Sequence, residues 1–533
     1  MEKNNKKRLF SITHMRKYFP LKKSSFFQKE QLYVRANDDV TIDIFEGETF
    51  GLVGESGCGK STLGRVLLQL YPRTAGSIMY YGTQLDKVAP DYVKYTLTHA
   101  KKMIKNYNDA QAKVDALYEK YKGRDDLTYT ESSERDEAVF KMHNELDKVA
   151  KILGGFMVCP DVEEQAKILL SLNDVRADIL KCQEKIQDLF IERDKVEARL
   201  LKANADADIE NDKAISKIDR TVKELTARIE DDAKRRDAII KTLDKEVEKN
   251  KHLPEFEKYE AMRDDGVDLA RLRYNEIRKL RKDIQIIFQD PYSSLNPRMT
   301  VGQIVEEGVV THKMYRQGSS KLQEYVLKTM EDCGLADYML YRFPHQFSGG
   351  QRQRICIARA LAVKPKFVVC DECVSALDVS IQSQILNLLQ DLKEQNNLTY
   401  LFISHDLSVV KYISDRIGVM YLGNLVEIAD TKTLFEDPRH PYTVALLSSI
   451  PTTDPKDLKK EKIILKGTIP SPIKPPSGCK FHTRCYMATE KCKCETPKLV
   501  EVTPGHFCAC HYLEKKSILN ISKDKGNLNE AKK

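Results

Sequence analysis

Three textures of hydrophobic and polar positions divide the chain. Between residues 9 and 50, apolar and polar residues alternate in short bursts (Leu9, Phe10, Ile12; Val40, Ile42, Ile44), interrupted by Pro20 and by Glu46-Gly47-Glu48. A period of two broken by turn formers predicts strands. Short apolar runs of the kind that become buried strands stand at Phe50 to Val53, Asp283 to Phe288, Phe367 to Cys370 and Tyr400 to Ile403. Helical spacing separates them: Leu63, Val66, Leu67 and Leu70 follow the first run, and helical patterns fill 300 to 340, 349 to 362 and 380 to 394. Strands alternating with helices predict a parallel α/β sheet.

The second texture runs from about Leu85 to Leu280, rich in Lys, Glu and Asp, with neither Gly nor Pro between Pro160 and Pro254. Leu172, Val175, Ile179, Cys182, Ile186 and Leu189 step by three and four, as do Ile215, Ile218, Val222, Leu225 and Ile229. Large apolar residues lapse across 203 to 208 between these arms, so the spacing predicts an antiparallel helical hairpin. It serves either as a lever or docking arm or as a solvated insertion that a surface loop tolerates. The third texture, from 465 to 512, is dominated by Pro and Cys, and a Lys-rich tail expected to be disordered follows it.

A length of 533 residues allows three or four domains. The net charge of +8 suits an anionic ligand or a membrane surface and is no nucleic-acid footprint by itself. No run of 18 apolar residues occurs, so no span of a bilayer is expected. The basic start, Met1 to Arg8, has no apolar core behind it, and a cytoplasmic chain is expected. Six of the thirteen cysteines crowd between Cys479 and Cys510, which reads as metal or cluster ligation rather than crosslinking.

The chemistry starts at Thr49 to Thr62, where a strand pattern, a glycine-rich turn and a helix pattern follow one another. Gly54-Glu55-Ser56-Gly57-Cys58-Gly59-Lys60-Ser61-Thr62 has the full spacing of a phosphate loop. Its glycines let backbone N–H groups turn onto a phosphate, Lys60 reaches the outer phosphates and the Ser61 hydroxyl holds Mg²⁺. Asp371 ends an apolar run, the setting of a second magnesium ligand, and Glu372 follows as a general base for an attacking water. Gln289 and His405 end the neighbouring runs. Tyr33 is a candidate to stack on a nucleotide base, or else an ordinary surface tyrosine.

A phosphate loop, then Gln289, Ser348-Gly349-Gly350-Gln351, Asp371-Glu372, Asp378 and His405, in that order, resembles an ABC-type ATPase domain. The resemblance implies ATP and Mg²⁺ bound between two such domains. Ser348 to Gln351 would meet the ATP of a partner, Gln289 would sense Mg²⁺ and water, Asp378 would join the two sites and His405 would contact the γ-phosphate. Beyond these motifs, residues 289 to 298, Pro438 to Thr443 and the cysteine-rich segment resemble the F-type ATP-binding subunit of oligopeptide or dipeptide importers. Two departures stand out: Cys373 replaces the usual Pro after Glu372, and the charged stretch separates the phosphate loop from Gln289.

That resemblance covers residues 8–84 and 281–514 and divides the chain into an ATPase part (8–84), a helical coiled-coil insertion (85–280), a second ATPase part (281–450), a cysteine-rich C-terminal domain (451–514) and a basic tail (515–533). It implies an ATPase on the cytoplasmic face of the membrane, paired with a second ATPase subunit, two transmembrane permease subunits and an extracellular peptide-binding protein, and no nucleic acid. It favours a [4Fe–4S] cluster on Cys479, Cys485, Cys492 and Cys510. The thiols alone suit zinc as well, or a small packed domain of reduced cysteines, and Cys494 and Cys508 leave the choice of four open. A different class, an ABC ATPase acting on DNA or ribosomes, also interrupts its fold with coiled coils. Its DNA-repair members place the coil after the glutamine segment, and its ribosomal members carry two ATPase domains in one chain, unlike this sequence.

Overall fold

The computed structural model describes residues 6–23, 31–124, 129–203, 209, 212–450, 463–465 and 467–513. The basic tail and most of the 203–208 break lie outside them. Alternation over the first fifty residues yields two long strands, β1 (Arg8–Pro20) and β2 (Tyr33–Phe45), joined to β4 (Ala75–Tyr80) and β5 (Val267–Asp268) in an antiparallel sheet of order β2-β1-β4-β5. The apolar runs become β3 (Thr49–Val53), β6 (Ile284–Ile287), β7 (Phe367–Asp371) and β8 (Thr399–Ile403), and all residues of β3, β7 and β8 are buried. With β9 (Arg416–Tyr421) they pair in parallel, and β10 (Asn424–Asp430), β11 (Val500–Thr503) and β12 (His506–Cys508) add an antiparallel edge, giving the order β11-β12-β10-β9-β3-β8-β7-β6.

Parallel pairing puts the carboxyl ends of β3, β6, β7 and β8 on one edge, where open α/β sheets bind ligands. Helix α1 (Lys60–Leu67) leaves β3 there and buries Leu63, Val66 and Leu67. Leu70, expected to extend this apolar stripe, falls beyond the helix and is exposed.

Residues 91–260 form α2 (Asp91–Thr98), α3 (Ala100–Lys120), α4 (Tyr129–Leu153), α5 (Val162–Ala203), α6 (Lys213–Asn250) and α7 (Phe256–Glu260). Helices α5 and α6 run antiparallel: Gln165 meets Glu246 near their base, and Arg193 meets Asp219 near the turn. More is present than a hairpin. Tyr92, Met103, Val149, Leu153 and Tyr259 join α2, α3, α4 and α7 into a second small core, which the uniform charge of this stretch concealed.

Charge-rich sequence also continues past the point where the chain rejoins the antiparallel sheet. Val267 and Asp268 pair with Tyr80 and Met79, and Ile277 and Leu280 of α8 (Tyr274–Leu280) pack into the core beneath β1 and β4. Val267 and Asp268, which precede residue 280, thus belong to the sheet of β1 and β4. Downstream come the short α9 (Pro291–Ser294), then α10 (Val301–Thr311), α11 (Ser320–Asp332) and α12 (Gly349–Leu361), which share an apolar core, and α13 (Val379–Asn396).

Candidate functional site

Residues far apart in the chain meet at the carboxyl edge of the sheet. Gly54, Gly57 and Gly59 all have positive φ, and two of them have no room for a side chain: a Cβ on Gly54 would lie 2.2 Å from the Met420 carbonyl oxygen, and one on Gly59 2.1 Å from that of Ala36. Glycine is therefore required at both positions. Lys60 is buried, and its Nζ donates to the carbonyls of Gly54 (2.7 Å) and Glu55 (3.2 Å), which curls the loop around the ammonium. Cys58 Sγ lies 3.8 Å from that Nζ, and burial raises this thiol, which disfavours its thiolate.

Ser61 Oγ donates to Asp371 Oδ1 at 2.5 Å, closing the gap between α1 and β7. Burial raises the Asp371 carboxyl, against the opposing pull of Ser61 and of Arg65, whose guanidinium stands 3.6 Å away. A buried carboxylate beside a hydroxyl is an all-oxygen donor set of the kind Mg²⁺ takes. Glu372 has φ +49°, an uncommon conformation for a non-glycine residue. Gln289 Nε2 donates to Glu372 Oε2 at 2.9 Å, and His405 Nδ1 lies 3.4 Å from the same oxygen. The structure thus gathers Lys60, Ser61, Gln289, Asp371, Glu372 and His405 on one edge. Such an edge can take a phosphate beside a carboxylate placed to accept a proton.

The remaining sequence candidates lie elsewhere. Ser348 caps α12: its Oγ accepts from the Gln351 N–H, and Gln351 Oε1 accepts from the Ser348 N–H. Gly350 lies so close to Ile381 that a Cβ would stand 2.6 Å from its methyl, and Arg352 donates to the Pro344 and His345 carbonyls. This rigid helix start is free of side chains at its first two positions. Asp378 precedes α13 with no capping bond from its side chain, and Val379 beside it is 78% exposed, an apolar residue left uncovered. Tyr33 opens β2 opposite Pro20 with a largely exposed ring.

Cys479, Cys485, Cys492 and Cys510 all line one small enclosed cavity with His440, His482 and His511. Cys508 instead sits in β12 and Cys494 is exposed, so the fold separates the four from the other two. Backbone N–H groups of Met487 and Tyr512 donate to the sulfurs of Cys485 and Cys510 at 3.4 Å. Burial is the main cause that pushes Cys479 up to about 11 and Cys485 up to about 12. As the side chains stand, no three His, Cys, Asp or Glu among the described residues are placed to hold a metal ion.

Sequence reasoning missed Tyr442 and Arg484. Tyr442 Oη accepts from the Glu55 N–H at 2.9 Å, and Arg484 forks onto both Glu55 oxygens at 2.7 and 3.0 Å. No local signal marks a contact spanning such a separation. Arg65 was missed as well, although a signal existed: it lies one helical turn beyond Ser61 on the same face.

Comparison with known proteins agrees with this geometry. The ABC transporter family model matches residues 37–251 and 251–375, and a model described as the oligopeptide/dipeptide transporter C-terminal region matches 426–492. The chain is 52% identical over 250 residues to the oligopeptide transport ATP-binding protein AppF of Bacillus subtilis, a match that covers 46% of this chain and 75% of that protein. It is 53% identical over 247 residues to the putative oligopeptide transport ATP-binding protein YkfD of the same organism, covering 46% and 75%. A putative peptide import ATP-binding protein of Brucella ovis is 53% identical over 246 residues, covering 46% and 77%. With a cradle, an acidic strand end and a family model that spans more than half its length, the chain belongs to the ABC transporter family of ATPases.

Proposed function

We propose that this chain is the ATP-hydrolysing subunit of an ABC importer that drives uptake of oligopeptides or dipeptides. The observation that carries the reading is the match of residues 426–492 to the oligopeptide/dipeptide transporter C-terminal region, in a chain that is 52% identical over 250 residues to an oligopeptide transport ATP-binding protein.

The residues divide the work. Gly54 to Thr62 cradle the triphosphate, and Lys60 exchanges its carbonyl partners for the outer phosphates. Ser61 and Asp371 would hold Mg²⁺, with Gln289 beside them; when bound, the ion neutralises charge developing on the β- and γ-phosphates. Glu372, aimed by Gln289 and His405, takes the proton of the attacking water. The α12 N-terminus, Ser348 to Gln351, is free to meet the γ-phosphate held by a second ATPase subunit, and Asp378 with Val379 would lie in that contact. Tyr33 is the proposed platform for the base. No helix of the described residues is long and apolar enough to cross a membrane. Two permease subunits would supply the pore, with this chain docked on their cytoplasmic face and a peptide-binding protein delivering cargo from outside.

Cys479, Cys485, Cys492 and Cys510 would hold a [4Fe–4S] cluster, or zinc. Four thiols around one enclosed cavity, two of them accepting backbone N–H bonds, support a soft-metal site. The helical insertion would act as an arm that docks or levers. Co-purification from membranes with permease and binding-protein subunits, together with peptide-stimulated ATP hydrolysis, is expected; a soluble homodimer whose ATPase responds to nucleic acid would overturn the importer reading. Iron, sulfide and zinc analysis of that complex decides the cysteine site.

A further inference from the structure

The cysteine-rich segment is built against the phosphate loop, and a single side chain makes the connection. Arg484, adjacent to Cys485, is almost wholly buried and binds both carboxylate oxygens of Glu55. The Tyr421 hydroxyl accepts from the same guanidinium at 3.5 Å. Phe481, three residues earlier, packs its ring on Tyr421, Tyr442 and His440. Tyr442 in turn accepts from the Glu55 N–H. One residue of the loop is therefore held at its backbone by the β10–Cys-rich connection and at its side chain by the cysteine-rich segment.

Glu55 needs such a partner. It is the only acid of the loop, and a free carboxylate there would face a triphosphate of the same sign. Its carboxylate is held by a planar, bidentate cation, which neutralises it and fixes its direction together with that of the carbonyl that Lys60 bonds.

We propose that Arg484 is a positioning residue for ATP binding, through which the cysteine-rich segment holds the phosphate loop in its binding shape. The inference rests on reading the loop as the ATP cradle. It makes nucleotide affinity depend on the packing of a segment that itself does not touch the nucleotide, and it gives the position next to Cys485 a role apart from metal binding. Chemistry at Glu372 does not depend on Arg484, so the effect falls on binding and not on the hydrolytic step.

The test is nucleotide affinity and steady-state hydrolysis of the full chain as Arg484→Met, Arg484→Lys, Glu55→Gln and the double variant, with Lys60→Ala as a control. Expected are a roughly tenfold weaker ATP affinity and higher KM in Arg484→Met with kcat within about twofold, partial recovery in Arg484→Lys, and a double variant no weaker than Arg484→Met alone, the sign of a coupled pair. Should Arg484→Met fail to fold, Glu55→Gln removes the same charge pair from the loop side and is expected to weaken ATP affinity several-fold, after which Arg484→Lys causes no further loss; wild-type affinity in Glu55→Gln would then overturn the proposal. Unchanged affinity in Arg484→Met, or additive losses in the double variant, overturns the proposal. If Lys60→Ala also binds ATP normally, the cradle itself has failed; if Lys60→Ala loses ATP while Arg484→Met does not, only the clamp has.

Discussion

The sheet that carries the candidate site and the helical segment beside it are stabilised in opposite ways. Every residue of β3, β7 and β8 is buried, and the contacts that make the site join residues hundreds of positions apart, as Ser61 joins Asp371 and Glu55 joins Tyr442. In α6, by contrast, only Ile215, Ile218, Asp232 and Leu243 are buried along 38 residues, and its polar bonds run mostly one turn along the same helix, as in Arg220 to Glu224 and Thr226 to Val222. The difference teaches where identity matters. Long-range convergence fixes the residue type at each position, whereas a helix pair needs only apolar residues at the right spacing, and its exposed ion pairs contribute little each.

Glu372→Gln gives the largest effect expected from the sheet. ATP should still bind, and turnover should fall at least roughly a hundredfold, about 3 kcal/mol of barrier, measured as steady-state phosphate release. Normal turnover would reassign the base.

Next in size is the junction between the sheet and the cysteine-rich segment. Burial alone would raise the Asp38 carboxyl, but Lys480 at 2.7 Å, Tyr18 and Arg16 outweigh it and hold Asp38 near about 2. Burial pulls the Lys480 ammonium down even so, which offsets part of the gain. Lys480→Ala leaves a buried carboxylate short of its main partner and should cost about 3 kcal/mol in chemical denaturation. Because Asp38 is held below its ordinary value, its contribution is complete above about pH 4 and is lost as pH falls through about 2, so acid unfolding of the variant should lose that transition.

Lys60→Ala follows, with ATP affinity down roughly tenfold or more, about 1.5 to 3 kcal/mol for one charged hydrogen bond. Unchanged nucleotide binding in a titration would remove Lys60 from the cradle.

Deleting residues 90–262 sharpens the comparison most. It spares Val267 and Asp268 and should leave ATP affinity within about threefold, under about 0.7 kcal/mol, whereas deleting 90–275 removes the strand that pairs with Tyr80 and the carboxylate that pairs with Arg73, and should lower the melting temperature further. Equal damage from both would mean the insertion is part of the core. Asp212→Ala is the most local: this side chain caps α6 by accepting from the Ala214 and Ile215 N–H groups, and its loss should weaken hydrogen-exchange protection in the first turn by about 1 kcal/mol.

How much was legible follows the same division. The loop, Asp371-Glu372 and the strand runs could be read because phosphate and metal chemistry demands particular residues at fixed spacing, next to apolar runs that fill a buried sheet. The helical spacing of α5 and α6 could be read because it repeats. The small core of α2, α3, α4 and α7 could not: its apolar residues, such as Tyr92 and Val149, are thinly spread among charges, and their partners lie dozens of residues away. Nor could Arg484 or Tyr442, whose meaning exists only once the chain has brought them to Glu55. Sequence alone also could not choose among six cysteines, which the placement of Cys508 in a strand and of Cys494 at the surface separates.

The most direct test of the account is a cryo-EM map of the assembled complex carrying Glu372→Gln, frozen with ATP and Mg²⁺. The account predicts a nucleotide whose outer phosphates touch Lys60, whose metal lies between Ser61 and Asp371, and whose far side is closed by a second ATPase subunit. A nucleotide bound with Lys60 and Asp371 on different ligands, or an ATP site left open to solvent in the trapped state, would contradict it.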